Sequence, residues 1–295
     1  MAHQSPLIDW LLSQPTNAVD YRVTQFNWVE DYLPGYYDYG ISFFNGEYKG
    51  RAVDKIQELA LTKATSEGIE RATCEHNKLN SSMGVAAHID SILAEENARL
   101  ELFERISFDI HFTNKISFQK ITPIAYEAKK ILEKISYQGV HLQFFQLLSP
   151  NGIKIICAVA TGIHFKRPFG GIIGLGCDYD VVKAERSALF ECLRNLIHFL
   201  HDEDVKSLSL IDFQKIDTPK FTDRFRLLLD LEYFSTVDFL FQSSVSFEQP
   251  FPDLKTEVRI LEVHPLFQTA PIKVVQVYAD YQFISDDGQF PSPVG

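Results

Sequence analysis

The chain has 295 residues, 45% of them hydrophobic and 23% charged, which is apolar material enough for one large core or two small ones. A net charge of -11 makes a surface that repels bare nucleic acid and anionic membrane, so neither is expected as a partner. The opening MAHQSPLIDWLLSQP has no basic segment followed by an apolar one, and no apolar run reaches the length a bilayer requires. The expected location is therefore cytoplasmic.

Residues 5–14 predict a short helix, and YLPGYYDYGISFFNGEYKG at 32–50 predicts loop, strand and turn. Two long helical patterns follow, Val53 to Leu79 and Asp90 to Asp109, separated by SSMGVAA. A third is expected over ITPIAYEAKKILEKISYQG, 121–139, with Thr122 as N-cap, Pro123 in the first turn and Gly139 past the end. Then VHLQFFQLLSPNGIKIICAVATG gives two β-rich runs joined at Pro150-Asn151-Gly152. The glycine-spaced FGGIIGLGCDY comes next, then a helix from Val181 to Leu200. The last third mixes helix over 220–230 with the strand-like runs STVDFLF, EVRILEVH and IKVVQVYADYQF. This order predicts an α/β fold of the mixed α+β kind, mixed sheets layered with helices. No linker rich in Pro, Gly or Ser divides it, so a single domain over 1–295 is expected.

Cys74, Cys157, Cys177 and Cys192 stand far apart with no C-x-x-C spacing, as expected of reduced, buried, small apolar residues. His198 and His201 with Asp202 have zinc-ligand spacing, but a solvated helix end explains them as well. GGIIGLG does not have the spacing of a dinucleotide loop, and it follows a strand pattern instead of opening a helix. His88 and His111 flank an acidic helix, either as local bases or as structural groups.

The pattern Glu-x-x-Glu-Arg occurs twice, at Glu67, Glu70, Arg71 and at Glu101, Glu104, Arg105. The copies are 34 residues apart (101 minus 67), the period of a tetratricopeptide array, but no third copy follows and strands come where helices should. Residues three apart share a helix face, so each glutamate pair points one way and repels by roughly 0.2–0.5 kcal/mol when exposed. Each pair also lies in an apolar stripe: Ala60, Ala64 and Cys74 around the first, Leu93, Asn97 and Phe108 around the second. Carboxylates so placed need a paired arginine, a proton or a cation. Magnesium, which takes one or two carboxylates plus substrate phosphates, is one candidate, and ordinary ion pairs on solvated faces are the other.

These segments resemble a known family. LALTKATSEGIER followed by GVAAHIDSILAEENARLELFERISF is similar to the two acidic helices of the YcaO-like domain, and GCDYDVVKAERSALFECLR resembles its later helical motif. The resemblance covers about residues 35–200. It implies ATP- and Mg2+-dependent phosphorylation of backbone amides in a ribosomally made peptide, leading to an azoline or a thioamide. Carried over by residue, Glu67, Glu70, Glu101 and Glu104 match metal carboxylates. Lys49, Arg71, Arg105, Arg186, Glu191 and Arg194 fall on the nucleotide side. No catalytic residue is assigned. The implied partners are the peptide and a peptide-clamping or sulfur-donor protein, a second YcaO-like subunit, or another copy in a homodimer.

The sequence also departs from the family pattern. His88-Ile89 stands where the family has Gly-Asn, Leu93 where it has a nucleotide-holding glutamate, and Arg194 where Gln is usual, with Arg186 displaced by one position. These departures imply an alternative, a non-catalytic YcaO-like subunit that scaffolds a modification complex. QFPSPVG at the C-terminus, with Pro291 and Pro293, is similar to the proline-rich tail of azoline-forming members.

Overall fold

The computed structural model describes residues 5–14, 19–79, 81–136, 138–164, 167–202, 204–243, 247 and 250–283; the QFPSPVG segment lies outside them. Along the chain run α1 (Pro6–Ser13), β1 (Tyr21–Gln25), α2 (Trp28–Tyr32), β2 (Tyr37–Phe43), β3 (Tyr48–Asp54), α3 (Gln57–His76), β4 (Val85–His88) and α4 (Ser91–Thr113). Then come β5 (Gln119–Ile121), α5 (Tyr126–Ser136), β6 (Val140–Gln146), β7 (Lys154–His164), β8 (Arg167–Asp178) and α6 (Val181–His201). The chain continues through α7 (Leu210–Phe213), α8 (Phe221–Leu228), α9 (Leu231–Val237), β9 (Thr256–Ile260) and β10 (Lys273–Ala279). The described residues form helices and three antiparallel sheets, the mixed α+β class expected. Contacts divide the chain into two units, Met1–Leu102 with Lys255–Asp280, and Phe103–Leu254 with Tyr281–Gly295.

In the first unit, α3 packs on the sheet β1-β2-β3 and on β4 of the sheet β4-β10-β9. Its core gathers Leu7, Leu11, Ile41, Phe43, Ile69, Val85, Phe267 and Val274. The small residues Ala60, Ala64 and Gly68 bring the backbones of helix and strand together: a Cβ on Gly50 of β3 would lie 2.0 Å from the Ala64 carbonyl oxygen and 2.6 Å from the Gly68 nitrogen. Only glycine fits there. Helix α3 starts at Gln57, later than the expected Val53, because Val53 and Asp54 are paired with Asp38 and Tyr37 in the sheet.

In the second unit, α6 packs on strands β8 and β7 of the sheet β5-β6-β7-β8. The glycine-spaced run proves to be a packing device. A Cβ on Gly174 would lie 2.3 Å from the Cys192 nitrogen, and one on Gly176 2.2 Å from the Ala184 carbonyl oxygen. The β6–β7 connection turns at Pro150–Ile153, closed by the Ile153 N–H donating to the Pro150 carbonyl at 3.1 Å, with Gly152 at φ +82°. Two expectations fail here. Residues 119–121 are a strand paired with β6, so the third helix starts only at Tyr126; its first turn is capped by Glu185 of α6, whose buried carboxylate accepts the Ile124 and Ala125 N–H groups at 2.9 and 2.7 Å. STVDFLF is helical, not strand, because Asp230 accepts the Tyr233 N–H and nucleates α9.

The two strand-to-helix pieces are alike in detail. Each residue of β8–α6 stands 124 positions after its counterpart in β3–α3: Gly174 after Gly50, Asp178 after Asp54, Ala184 after Ala60, Ala188 after Ala64 and Glu191 after Glu67. The contacts repeat as well, since the Gly174 Cβ would also meet the Ala188 carbonyl oxygen, at 2.4 Å. Asp54 accepts the Ile56 N–H as Asp178 accepts the Asp180 N–H, at 3.0 and 2.9 Å.

Candidate functional site

Because Gly50 lets β3 lie against α3, the Arg51 backbone N–H on the sheet edge reaches Glu67 and donates to its carboxylate at 2.7 Å. The other oxygen of Glu67 takes the Arg71 guanidinium at 2.6 Å. One turn further along α3, Glu70 faces Glu101 of α4. Burial pushes the Glu70 carboxyl well above its ordinary range, the Glu101 and Glu67 charges push it the same way, and Arg71 and a hydrogen bond from the Ala87 backbone offset only part of this. The same acidic neighbours act on buried Cys74, whose thiol is pushed up to about 12 by burial first and then by Glu70 and Glu101. Three carboxylates thus act on one another in the first unit, and Arg71 offsets part of that repulsion at Glu70.

The second unit holds another acidic pair. Glu104 is buried, with the Arg105 guanidinium 3.7 Å away. Glu191 accepts the Leu175 N–H of edge strand β8 at 2.6 Å, the counterpart of the bond between Glu67 and Arg51. Both charges are felt by Cys157, whose thiol is raised by burial first, then by Cys192, Glu191 and Glu104. All four cysteines are free thiols. Arg194 occupies in this copy the position of Glu70 in the first. Arg186 turns to buried Glu127, 3.3 Å away.

Lys49 is placed apart from the glutamates. Gly50 faces α3, so Lys49 and Arg51 project from the opposite face of the sheet, where Arg51 pairs with buried Asp38 at 2.6 Å and covers the Phe26 ring at 3.8 Å. His111 is structural: fully buried, it has Nδ1 2.9 Å from the Ile116 carbonyl and accepts the Leu148 N–H on Nε2 at 3.0 Å. These two bonds fix one neutral tautomer, and burial lowers its pKa to about 4. His88 accepts the Asp90 N–H at the turn into α4, at 2.9 Å. His198 stacks on Phe225 and His201 is exposed at the helix end. Ile89 and Leu93, which stand where the family pattern has polar groups, are 41% and 42% exposed, and Ile92 beside them is 75% exposed, so the three form an apolar surface. An open cleft of about 620 Å3 in the second unit, bounded by Lys120, Pro123, Leu132, His141 and Gln143, contains none of the predicted site residues.

Among the described residues no three His, Cys, Asp or Glu side chains are gathered into a ready-made metal cage. Mg2+ does not require one, since it binds one or two carboxylates together with phosphates and water. The crowded, oxygen-only donor set of Glu67, Glu70 and Glu101 suits such a hard cation.

A family model described as YcaO cyclodehydratase, ATP- and Mg2+-binding, matches residues 73–266, about two thirds of the chain. The chain belongs to the YcaO family. Glu101, Glu104, Arg105, Arg186, Glu191 and Arg194 lie inside the matched segment, while Lys49, Glu67, Glu70 and Arg71 precede it. Among solved structures, YcaO from Methanopyrus kandleri bound with AMPPCP and Mg2+ is similar at a TM-score of 0.53 and 13% identity, covering 87% of this chain and 84% of that one. A heterocyclase in complex with substrate and cofactor gives 0.62 at 12% identity over 88% of this chain, which spans 49% of that longer protein. The E. coli microcin synthetase McbBCD complex gives 0.51 at 11% identity, covering 82% of this chain and 84% of that one. At these identities the likenesses establish the YcaO fold. A search of curated proteins finds no match. No helix among the described residues is long and apolar enough to cross a membrane.

Proposed function

We propose that this chain is a Mg2+- and ATP-dependent enzyme that activates backbone amides of a ribosomally made peptide toward an azoline or a thioamide, working in the cytoplasm as a single YcaO-like domain. The observation that carries the reading is the crowding of Glu67, Glu70 and Glu101, which holds the Glu70 carboxyl far above its ordinary range. Such crowding costs stability unless a cation is bound to relieve it. Glu67, Glu70 and Glu101 are the carboxylates for Mg2+, with Glu104 following Glu101 along α4. Glu67 is held in place by the Arg51 N–H and Arg71. Arg105, Arg186 and Arg194 are the cationic candidates for phosphate oxygens; Lys49, on the other face of its sheet, is the weakest of the set. Bound Mg-ATP supplies a phosphoryl group to an amide oxygen, so that a Cys, Ser or Thr side chain or a sulfur donor can attack the amide carbon and expel phosphate. The partners named for the E. coli synthetase complex suggest that the peptide is presented with help from another subunit.

A second reading rests on the exposed apolar surface of Ile89, Ile92 and Leu93, which suits a protein contact better than a nucleotide. In that reading the chain is a non-catalytic subunit of a modification complex. Calorimetric titration of Mg-ATP into the parent and a Glu70→Gln/Glu101→Gln variant separates the two. Binding by the parent alone supports the enzyme. Absence of binding by both, with the fold intact by circular dichroism, overturns it in favour of the subunit.

A further inference from the structure

Strand β9 is the last strand of the sheet β4-β10-β9, and positions 257–260 are all exposed, Val258 at 43% and Ile260 at 72%. Its pairing with β10 tells which backbone groups remain. The Leu261 N–H donates to the Val274 carbonyl and the Asp280 N–H to the Lys255 carbonyl, so the odd-numbered residues 255–261 face β10. The N–H and C=O groups of Thr256, Val258 and Ile260 therefore point away from β10, along the open edge. Among the described residues no backbone hydrogen bond from another segment reaches them. An uncovered edge strand carrying exposed Val and Ile is a template for another strand.

We propose that the strand it accepts is β9 of a second copy of this chain, antiparallel, with the two-fold axis passing through Val258. The register follows from the sequence TEVRI. Val258 opposes Val258 of the second copy, Thr256 opposes Ile260, and these are the residues whose backbone groups are free to bond. In the same register Glu257 opposes Arg259, twice over by symmetry, so each opposite-charge pair forms across the junction. Shifting the register by two residues in either direction places Glu257 opposite Glu257 or Arg259 opposite Arg259 and loses the match. Val258 and Ile260 lie on one face; there Val258 meets Val258 of the second copy and Ile260 meets its Thr256 with Val258 on the diagonal, which covers the most exposed apolar side chains of the strand. Tyr278 donates to one oxygen of Glu257 at 2.6 Å and holds that carboxylate in place on the opposite face. The Thr256 hydroxyl accepts from Arg99 at 2.9 Å through its side chain, leaving its backbone available. The product is one continuous six-stranded sheet. This inference does not depend on the nucleotide reading.

Sedimentation velocity over a wide concentration range tests it on the full chain. The parent should dimerise; Glu257→Arg alone and Arg259→Glu alone should each weaken the dimer by roughly tenfold or more, and the double reversal should restore it. Val258→Pro removes an outward N–H without touching the β10 ladder, and should give a folded monomer. Val258→Cys should form a disulfide-linked dimer under mild oxidation, since directly opposed, hydrogen-bonded residues lie about 5.5 Å apart at Cα, within disulfide range. A parent that is monomeric throughout, or a dimer indifferent to charge reversal and to Val258→Pro, overturns the proposal.

Discussion

Replacing His111 with glutamine should remove a specific part of the acid sensitivity of this protein. In the folded chain the imidazole is buried, neutral and bonded through both nitrogens, with a pKa lowered to about 4 from its ordinary 6.5. In the unfolded chain it takes up a proton near 6.5. The folded pKa lies below the unfolded one, so between them the unfolded state binds more protons and stability falls as pH falls. The contribution is fully present above about pH 6.5. Integrating the two titrations, about 2 kcal/mol is lost at pH 5 and about 3 kcal/mol at pH 4. Urea unfolding of parent and His111→Gln at neutral pH and at about pH 5 measures it, because other titrating groups cancel in the difference between the two proteins. The variant is less stable at neutral pH, having lost a fitted ring between Phe118 and Phe247. Its deficit should shrink by about 2 kcal/mol at pH 5. A deficit that stays constant would refute the neutral, doubly bonded imidazole and return His111 to the list of candidate bases.

Glu70→Gln should have the opposite pH signature. The folded carboxyl titrates above its unfolded value, so parent stability falls as pH rises through that interval, and the variant should be about 1 kcal/mol more stable without metal at mildly alkaline pH, read as a melting temperature higher by a few degrees. Gly50→Ala and Gly174→Ala each force a methyl group against helix backbone and should each cost about 2–3 kcal/mol in urea unfolding. Glu185→Ala strips the first turn of α5 of a buried acceptor for two N–H groups and should cost roughly 2–3 kcal/mol, with hydrogen exchange at Ile124 and Ala125 accelerating in particular.

The long helices α3, α4 and α6 were legible because each is an extended run of helix-forming residues with no proline, and the β6–β7 connection because Pro150-Asn151-Gly152 encodes its own turn. The glutamate pairs were legible because a spacing of three is a helix face whatever surrounds it. What escaped depends on partners distant in sequence. The start of α5 is set by Glu185, some sixty residues further on, which no local pattern around Thr122 could reveal. Helix α9 was hidden by the strand-like composition of STVDFLF, which Asp230 overrides. The outward side of Lys49 follows from the parity of β3 relative to α3, and that parity is fixed only by the contact of Gly50 with Ala64. The correspondence of β3–α3 with β8–α6 was open to view in the sequence, yet only five of the aligned positions from Gly50 to Arg71 are identical.

That correspondence bears on how such a chain can change over generations. Each copy is locked where backbone meets backbone, at Gly50 against Ala64 and again at Gly174 against Ala188 and Gly176 against Ala184, because a larger side chain at these glycines separates helix from strand. One turn beyond these contacts the copies differ in charge, Glu70 in one and Arg194 in the other. Two pieces of one shape can thus carry different charges beyond the same locked contacts, and a substitution there alters the chemistry of one piece without refolding either.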